Sequence, residues 1–486
     1  MRYALTLLAI LVLKLMLLAV FGPISMPDTT GYMAYSDEIL ADSAWLGDAG
    51  LDRAPVPTTA IHMLGYPALI AALRVSVGQS WRWALVALQM LLTLTAIAGL
   101  CALRRPLGLS HGAILFTLVA TATTSSLVHD ATLLTDSLNA SLLDLAITLM
   151  MLAALSGRSA RASVAFGIGM LIAVAFLLRD VMCYLWLPML PLLACAAAFP
   201  SIAIDRRRAK SPGFVVATLI LVPLFATYAA YNEWNRQRTG TAFVTTIGQL
   251  TLLIPVAAAA TRDPEVFSDD APLDQVARQG LGDYDYDDVL ELNRRLFVTW
   301  HQTAPEIAAA AYRKYFASWR QHPAAMTHAA LTNLRENQFL LLFRPIDALR
   351  EYILWATGEP SELGRWKSVE ANPWVLPIYL LDRLCKAIAA IIFVSFLFLT
   401  PWRAWRERRI SAEARIGLAL WLLYLGWYAI YASVHIETRY MAPLLPYAIL
   451  LGVTNIAWLR HRRWAGAWRV TRVSALSAAR GLSDKS

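Results

Sequence analysis

Charge is scarce in this chain. Asp, Glu, Lys and Arg make up 16% of its 486 residues, against roughly 25% in an ordinary soluble domain. With 58% of residues hydrophobic, that shortage excludes a water-soluble globule and points to the membrane class. Cysteine is scarce as well. Cys101, Cys183, Cys195 and Cys385 show no Cys-x-x-Cys spacing and fall in or beside apolar runs, so they read as small core residues and not as disulfides or zinc ligands. Acidic residues are outnumbered by basic ones, leaving a net charge of +9. The basic residues stand in short clusters between apolar runs instead of one patch, which argues against nucleic acid as a partner. No internal repeat or low-complexity tract is present.

Long apolar runs are plentiful. A spanning helix needs about 18 or more apolar residues, and ten runs qualify, near 4–21, 84–103, 112–128, 138–156, 162–178, 181–199, 213–231, 377–400, 416–434 and 441–459. The first lacks a small-residue cleavage site before Asp28 and reads as an uncleaved anchor. Ten spans place every basic cluster on one side: Arg104-Arg105, Arg158/Arg161, the 205–210 run, Arg403 through Arg415, and the tail from Arg460. By the positive-inside rule that side is the cytoplasm, with both termini. The opposite side then holds the loop 22–83, short turns near 129–137, 179–180 and 435–440, and about 145 residues from 232 to 376. The first loop is acidic, and segments 29–46 and 60–77 read as helices on the membrane surface. The long stretch reads as mainly helical, around 303–320 and 324–357.

Uncommon polar residues gather at the outer ends of these spans. Pro27-Asp28-Thr29-Thr30-Gly31-Tyr32 follows span one, and His129-Asp130 through Asp136 joins spans three and four. Arg179-Asp180 joins five and six, and His435-Ile436-Glu437-Thr438-Arg439-Tyr440 joins nine and ten. Ionisable groups near a bilayer are costly and usually face a cavity or one another, so one depth on one side predicts a shared cavity. Each group also has an ordinary reading: Asp28 as interface decoration, Arg179–Asp180 and Glu437–Arg439 as local ion pairs, His62 and His435 as structural histidines. The run Asp283-Tyr284-Asp285-Tyr286-Asp287-Asp288 lacks the glycine and glutamate of a calcium loop and reads as a solvated turn.

The ordered set resembles a family. Pro27-Asp28-Thr29-Thr30-Gly31-Tyr32, Leu64-Gly65-Tyr66-Pro67, Thr135-Asp136-Ser137-Leu138, Leu177-Leu178-Arg179-Asp180 and Glu437-Thr438-Arg439-Tyr440-Met441-Ala442-Pro443 look like the GT-C superfamily of polyprenyl-phosphate-sugar glycosyltransferases. The nearest groups are the protein O-mannosyltransferase-like and lipid A aminoarabinose-transferase-like enzymes. The resemblance covers about 1–230 and 377–459, and 232–376 matches no motif. It implies an all-α, polytopic GT-C-like bundle of about 10–11 transmembrane helices, with extracytoplasmic juxtamembrane helices and a mainly helical extracytoplasmic domain. The divisions are a transmembrane module 1–231 with a catalytic loop 22–83, the domain 232–376, helices 377–459 and a basic tail 460–486.

The implied activity is transfer of a sugar from a polyprenyl-phosphate donor to a hydroxyl of a glycan, lipid or protein, with inversion, on the extracytoplasmic face of a bacterial cytoplasmic membrane. Asp28 would be the base, its pKa lowered by the N-terminus of a surface helix, and Asp136 a second catalytic carboxylate. Arg179 and Arg439 would hold the departing phosphate through charge-assisted, bidentate hydrogen bonds. Tyr32, His62, Tyr66, His129, Asp130, His435, Glu437 and Tyr440 would line the substrate pocket, with Trp45 a further aromatic. No metal ligand set and no cofactor are assigned, and a divalent cation is compatible. The alternative is a transporter or flippase of a lipid-linked saccharide, for which inverted repeats and midplane breaks are expected and not found.

Overall fold

The computed structural model describes residues 1–41, 57–155, 162–198, 213–280, 286–336, 344–363, 370, 372–407, 411–435 and 437–460. Trp45, Arg158, Arg161, the 205–210 run, Asp283 through Asp285, Arg408, Arg409 and the tail beyond Arg460 lie outside the described residues. Among the described residues there are helices and no β-strands; one lone parallel bridge joins Ile24 to Thr132. The chain is an all-α, multi-pass membrane protein. Seven described helical runs are long and apolar enough to cross a bilayer: Arg2–Phe21, Gly65–Leu103, Asp136–Leu155, Val215–Thr239, Pro373–Arg406, Ala412–Ser433 and Arg439–Arg460.

The other three of the ten predicted spans are helical but fall below 18 residues among the described residues, and one of them, at 112–128, is broken, which corrects the reading from hydropathy alone. The run at 112–128 is split into α6 (His111–Ala122) and α7 (Ser125–His129). The cause lies in its hydroxyls. Thr123 bonds the Val119 carbonyl, while Thr124 and Ser126 both bond the Thr121 carbonyl. Such side chains compete with the helical ladder, and Thr124 leaves helical geometry at ψ −134°. The run at 162–178 coincides with α9 (Ala162–Leu178) and the run at 181–199 agrees within a residue at each end with α10 (Met182–Ala198), each 17 residues long among the described residues.

α1 (Arg2–Phe21) ends at Gly22, whose φ of +71° suits glycine. Next comes α2 (Pro27–Ala41), opened by a proline at its first position and Asp28 in its first turn. A single turn, α3 (Thr58–Ile61), and α4 (Gly65–Val77) follow; both fall within the segment 60–77 read as helical, give or take two residues, and α4 continues into the apolar run Gly65–Leu103. α5 (Trp81–Gly99), α8 (Asp136–Leu155), α9 and α10 pack with α11 (Gly213–Thr239) into one apolar core that includes Leu85, Ile147, Phe176, Leu192 and Trp427. α11 runs eight residues beyond the predicted end at 231.

The region 232–376 builds a second core. α12 (Gly248–Ala260), α13 (Pro272–Gly280), α14 (Tyr286–Trp300), α15 (Ala304–Gln321) and α16 (Pro323–Glu336) bury Leu253, Val256, Val289, Leu296, Ile307 and Met326 against one another. α15 carries a capping box, Thr303 with Glu306, that satisfies two otherwise orphaned N–H groups. α17 (Pro345–Thr357) leaves this unit and docks on α7. The chain returns through α18 (Leu376–Val394), α19 (Thr400–Arg406) and α20 (Ala412–Ser433) before the last span.

Candidate active site

The Asp28 segment and the 129–136 segment are stitched together by backbone. Ile24 N–H donates to Ala131 O and Leu133 N–H to Ile24 O, both at 2.9 Å. The Thr29 hydroxyl then donates to the Leu133 carbonyl at 3.0 Å and accepts from the Met26 N–H at 2.9 Å. These bonds place Asp28, at the start of α2, beside Asp136, at the start of α8.

A buried amide holds the same loop from the other side. Gln89, fully buried on α5, donates to the carbonyls of His129, Asp130 and Thr132 at 3.3, 3.1 and 2.8 Å. Its own oxygen accepts from the Tyr66 hydroxyl at 3.2 Å. Below it, Asp130 takes Lys14 at 2.7 Å, Thr93 at 2.8 Å and Ser137 at 2.6 Å, all buried. Asp130 is thus anchored inside the bundle, and Tyr66, with no exposed surface, backs Tyr32 instead of facing solvent.

The charged centre forms where three segments meet. Arg179, in the turn after α9, is paired with Asp136 and lies over the Tyr440 ring at 4.4 Å. Its predicted local partner, Asp180, instead accepts from Thr245 at 2.6 Å. Arg439 stands 3.6 Å from Asp136, 3.8 Å from Asp28 and 2.5 Å from Glu437. Glu437 also accepts from the Tyr440 hydroxyl at 3.0 Å and lies 3.2 Å from His435. Tyr440 is itself fixed, stacked on Tyr431 at 4.7 Å with its carbonyl taking the Trp427 indole N–H. Asp28, Asp136, Arg179, Arg439, Glu437, His435 and Tyr440 therefore form one connected cluster.

Tyr32 and His62 complete one wall. Tyr32 bonds Thr135, and its ring centroid lies 4.4 Å from His62 and 4.9 Å from Tyr66. His62 is held because α11 supports its loop: the Leu64 N–H donates to the Tyr231 hydroxyl at 3.1 Å, and Arg238 donates to the Thr59 carbonyl at 2.6 Å. The absence of a side chain at Gly31 makes room for the imidazole, since a Cβ there would collide with the His62 ring. His129 is buried beside Asp136, with its Nδ1 unpartnered among the described residues.

The electrostatics differ from the expectation at Asp28. Burial raises its pKa, Arg439 opposes the rise, and Asp136 and Glu437 add to it; the net shift is upward. The helix N-terminus does not decide the matter, although the 49% exposed side chain damps every one of these influences. Glu437 goes the other way. Burial would raise it, but hydrogen bonds from His435 and Arg439 hold it at about 2. Burial lowers His62 to about 4, so its ring is neutral near pH 7.

Beyond Asp180 lies a cavity of about 470 Å³ between α10, α11 and α15, lined among others by Tyr184, Phe225, Tyr228 and Tyr312. Among the described residues no three histidines, cysteines or carboxylates converge as metal ligands would. Sequence reasoning misses Lys14, Gln89 and Glu351. Burial raises the pKa of Glu351, and Arg439 opposes the rise. A lone amide or lysine inside an apolar run was the available signal for the first two. No family model, curated protein or solved structure matches the chain.

Proposed function

We propose that the chain is a membrane glycosyltransferase that moves a sugar from a polyprenyl-phosphate donor to a hydroxyl acceptor on the extracytoplasmic face. The observation that carries this reading is the Arg439 guanidinium, which faces Asp28, Asp136 and Glu437 while Arg179 shares Asp136. Two guanidiniums held side by side by one buried carboxylate suit a phosphate, because a planar fork meets phosphate oxygens in pairs. Asp136 is 4% exposed, so its part is to orient both arginines.

Asp28 is the most open acid of the cluster and lies next to the arginine that would bind the donor. The acceptor oxygen attacks the anomeric carbon while its proton passes to Asp28. The bond from that carbon to the phosphate oxygen breaks, and its electron pair leaves on polyprenyl phosphate, neutralised by Arg439 and Arg179. Attack opposite the leaving group inverts the anomeric centre. Tyr32 and His62 shape the sugar side, and the aromatic cavity beside Asp180 offers room for part of the lipid.

The test is release of free polyprenyl phosphate from polyprenyl-phospho-hexose and -pentose donors by purified, monodisperse protein. No release from any of them would remove the glycosyltransferase reading. Cysteine labelling supplies the topological check: positions near 280 should be accessible from outside and those near 207 and 465 only from the cytoplasm.

A further inference from the structure

α17 belongs to the region without a motif, yet it stands beside the charged centre. Its buried face carries Ala348 and Tyr352, which pack on Ile24, Leu127, Val128 and Ala131. Tyr352 also meets Phe21 of α1 with ring centroids 5.5 Å apart. Helical spacing then sets Asp347, Glu351 and Trp355 in one row along the flank of that face.

Both ends of the row are engaged. Asp347 is paired with Arg344, with Arg350 at 3.5 Å and with Lys386 at 3.4 Å. The Trp355 ring lies 5.9 Å from that of His129. Glu351 between them is partly buried and has no hydrogen bond or ion pair among the described residues. The charges acting on it are Arg439, Asp347 and Glu437. Those acting on Asp28 are Arg439, Asp136, Glu437 and Arg179. Both acids feel Arg439 and Glu437, and α7, on which α17 docks, packs in turn against the 438–444 turn that carries Arg439.

We propose that Glu351 and Trp355 form a sugar-binding subsite on the α17 side of Arg439. The carboxylate accepts hydrogen bonds from hydroxyls of a sugar ring, and the indole covers the ring's C–H face. This rests on the glycosyltransferase reading above. A sugar fits the pair because it offers several hydroxyl donors and an apolar face together, and hydrogen bonds to an ionised acceptor are the stronger kind. A phosphate does not fit, since Glu351 would repel it. The ring is either the donor's own sugar or a sugar of the acceptor; the chemistry of recognition is the same.

The experiment uses the full chain in detergent, as wild type, Glu351→Gln and Trp355→Ala. One arm follows hydrolysis of polyprenyl-phospho-hexose by water alone. The other follows transfer from that donor to membranes lacking the endogenous protein. Binding of sugar-free polyprenyl phosphate is the control and should stay unchanged. Losing one charge-assisted hydrogen bond should lower kcat/KM by about 10- to 100-fold. A loss in both arms assigns the donor's sugar, and a loss in transfer alone assigns the acceptor's; either supports the subsite. Wild-type values for both variants in both arms overturn it, as does loss of polyprenyl phosphate binding, which would mark a collapsed wall. Wild-type protein inactive in both arms would instead count against the glycosyltransferase reading itself.

Discussion

Replacing Arg439 by alanine removes a cation that three carboxylates share. At 3.6 Å from Asp136, an effective dielectric of about 20 gives roughly 4–5 kcal/mol of attraction. The pair with Asp28, at 3.8 Å and with that acid 49% exposed, is worth only about 1 kcal/mol after solvent screening. Part of the Asp136 term returns as relief of the desolvation that Arg439 suffers. The expected net loss is therefore about 3 kcal/mol, the usual cost of leaving one partner of a buried pair alone. Donor binding should weaken by about 10- to 100-fold as the charge-assisted contacts to phosphate vanish.

Two measurements check this: thermal unfolding of the detergent-solubilised protein and the Kd for polyprenyl phosphate. Arg439→Lys should recover part of the stability and less of the binding, since a point charge lacks the fork. Adding Asp136→Asn to Arg439→Ala should restore stability beyond the sum of the single effects, because the two sites share one interaction. Wild-type affinity for polyprenyl phosphate in Arg439→Ala, with stability also unchanged, would refute the assignment of this guanidinium to either task.

Three further outcomes are expected. Asp28→Asn should cut turnover by about 10²- to 10⁴-fold with donor binding kept, and the acid limb of the wild-type pH profile should lie above the ordinary carboxylate range because burial raises this pKa; turnover above a tenth of wild type, on the order of what a bystander acid gives, would transfer the base role elsewhere. His62, held at about 4 by burial, binds its proton more readily in the unfolded chain, so stability should fall as pH drops below the unfolded value near 6.5, by at most about 3 kcal/mol by pH 4; His62→Gln should flatten that slope in thermal unfolding. Gly65→Ala would bring a Cβ to 2.6 Å from the Leu177 carbonyl oxygen, a backbone atom with little room to yield, and should cost about 1–3 kcal/mol, while Gly112→Ala, whose nearest neighbour is 4.0 Å away, should not.

What the sequence makes legible is contrast. In a chain this apolar, Asp28, Asp136, Arg179, Glu437 and Arg439 stand out at the ends of spans, and the structure gathers all five. Apolar length is legible too, but continuity is not. Hydropathy treats Thr121 through Ser126 as part of one span, whereas their hydroxyls break it into α6 and α7. Partner choice is also hidden: Arg179 stands next to Asp180 in sequence and pairs with Asp136, 43 residues away. Glu351 has no contrast to reveal it, because the 232–376 region is ordinarily polar. Only the docking of α17 on Ile24, Leu127 and Val128 brings it toward Arg439.

The buried pair of Lys14 and Asp130 bears on how the protein is made. The first helix enters the bilayer carrying Lys14, and its partner emerges from the ribosome 116 residues later. Until then a lone ammonium near mid-span costs roughly 2.5–3.5 kcal/mol, so the first helix is poorly committed to lipid and waits for α7 and α8. Exchanging it for a generic anchor would hold the chain in the membrane yet strand Asp130, along with Thr93 and Ser137, which close around the same carboxylate. The segment that looks most like a simple tether is thus an assembly partner for the loop that carries His129 and Asp136.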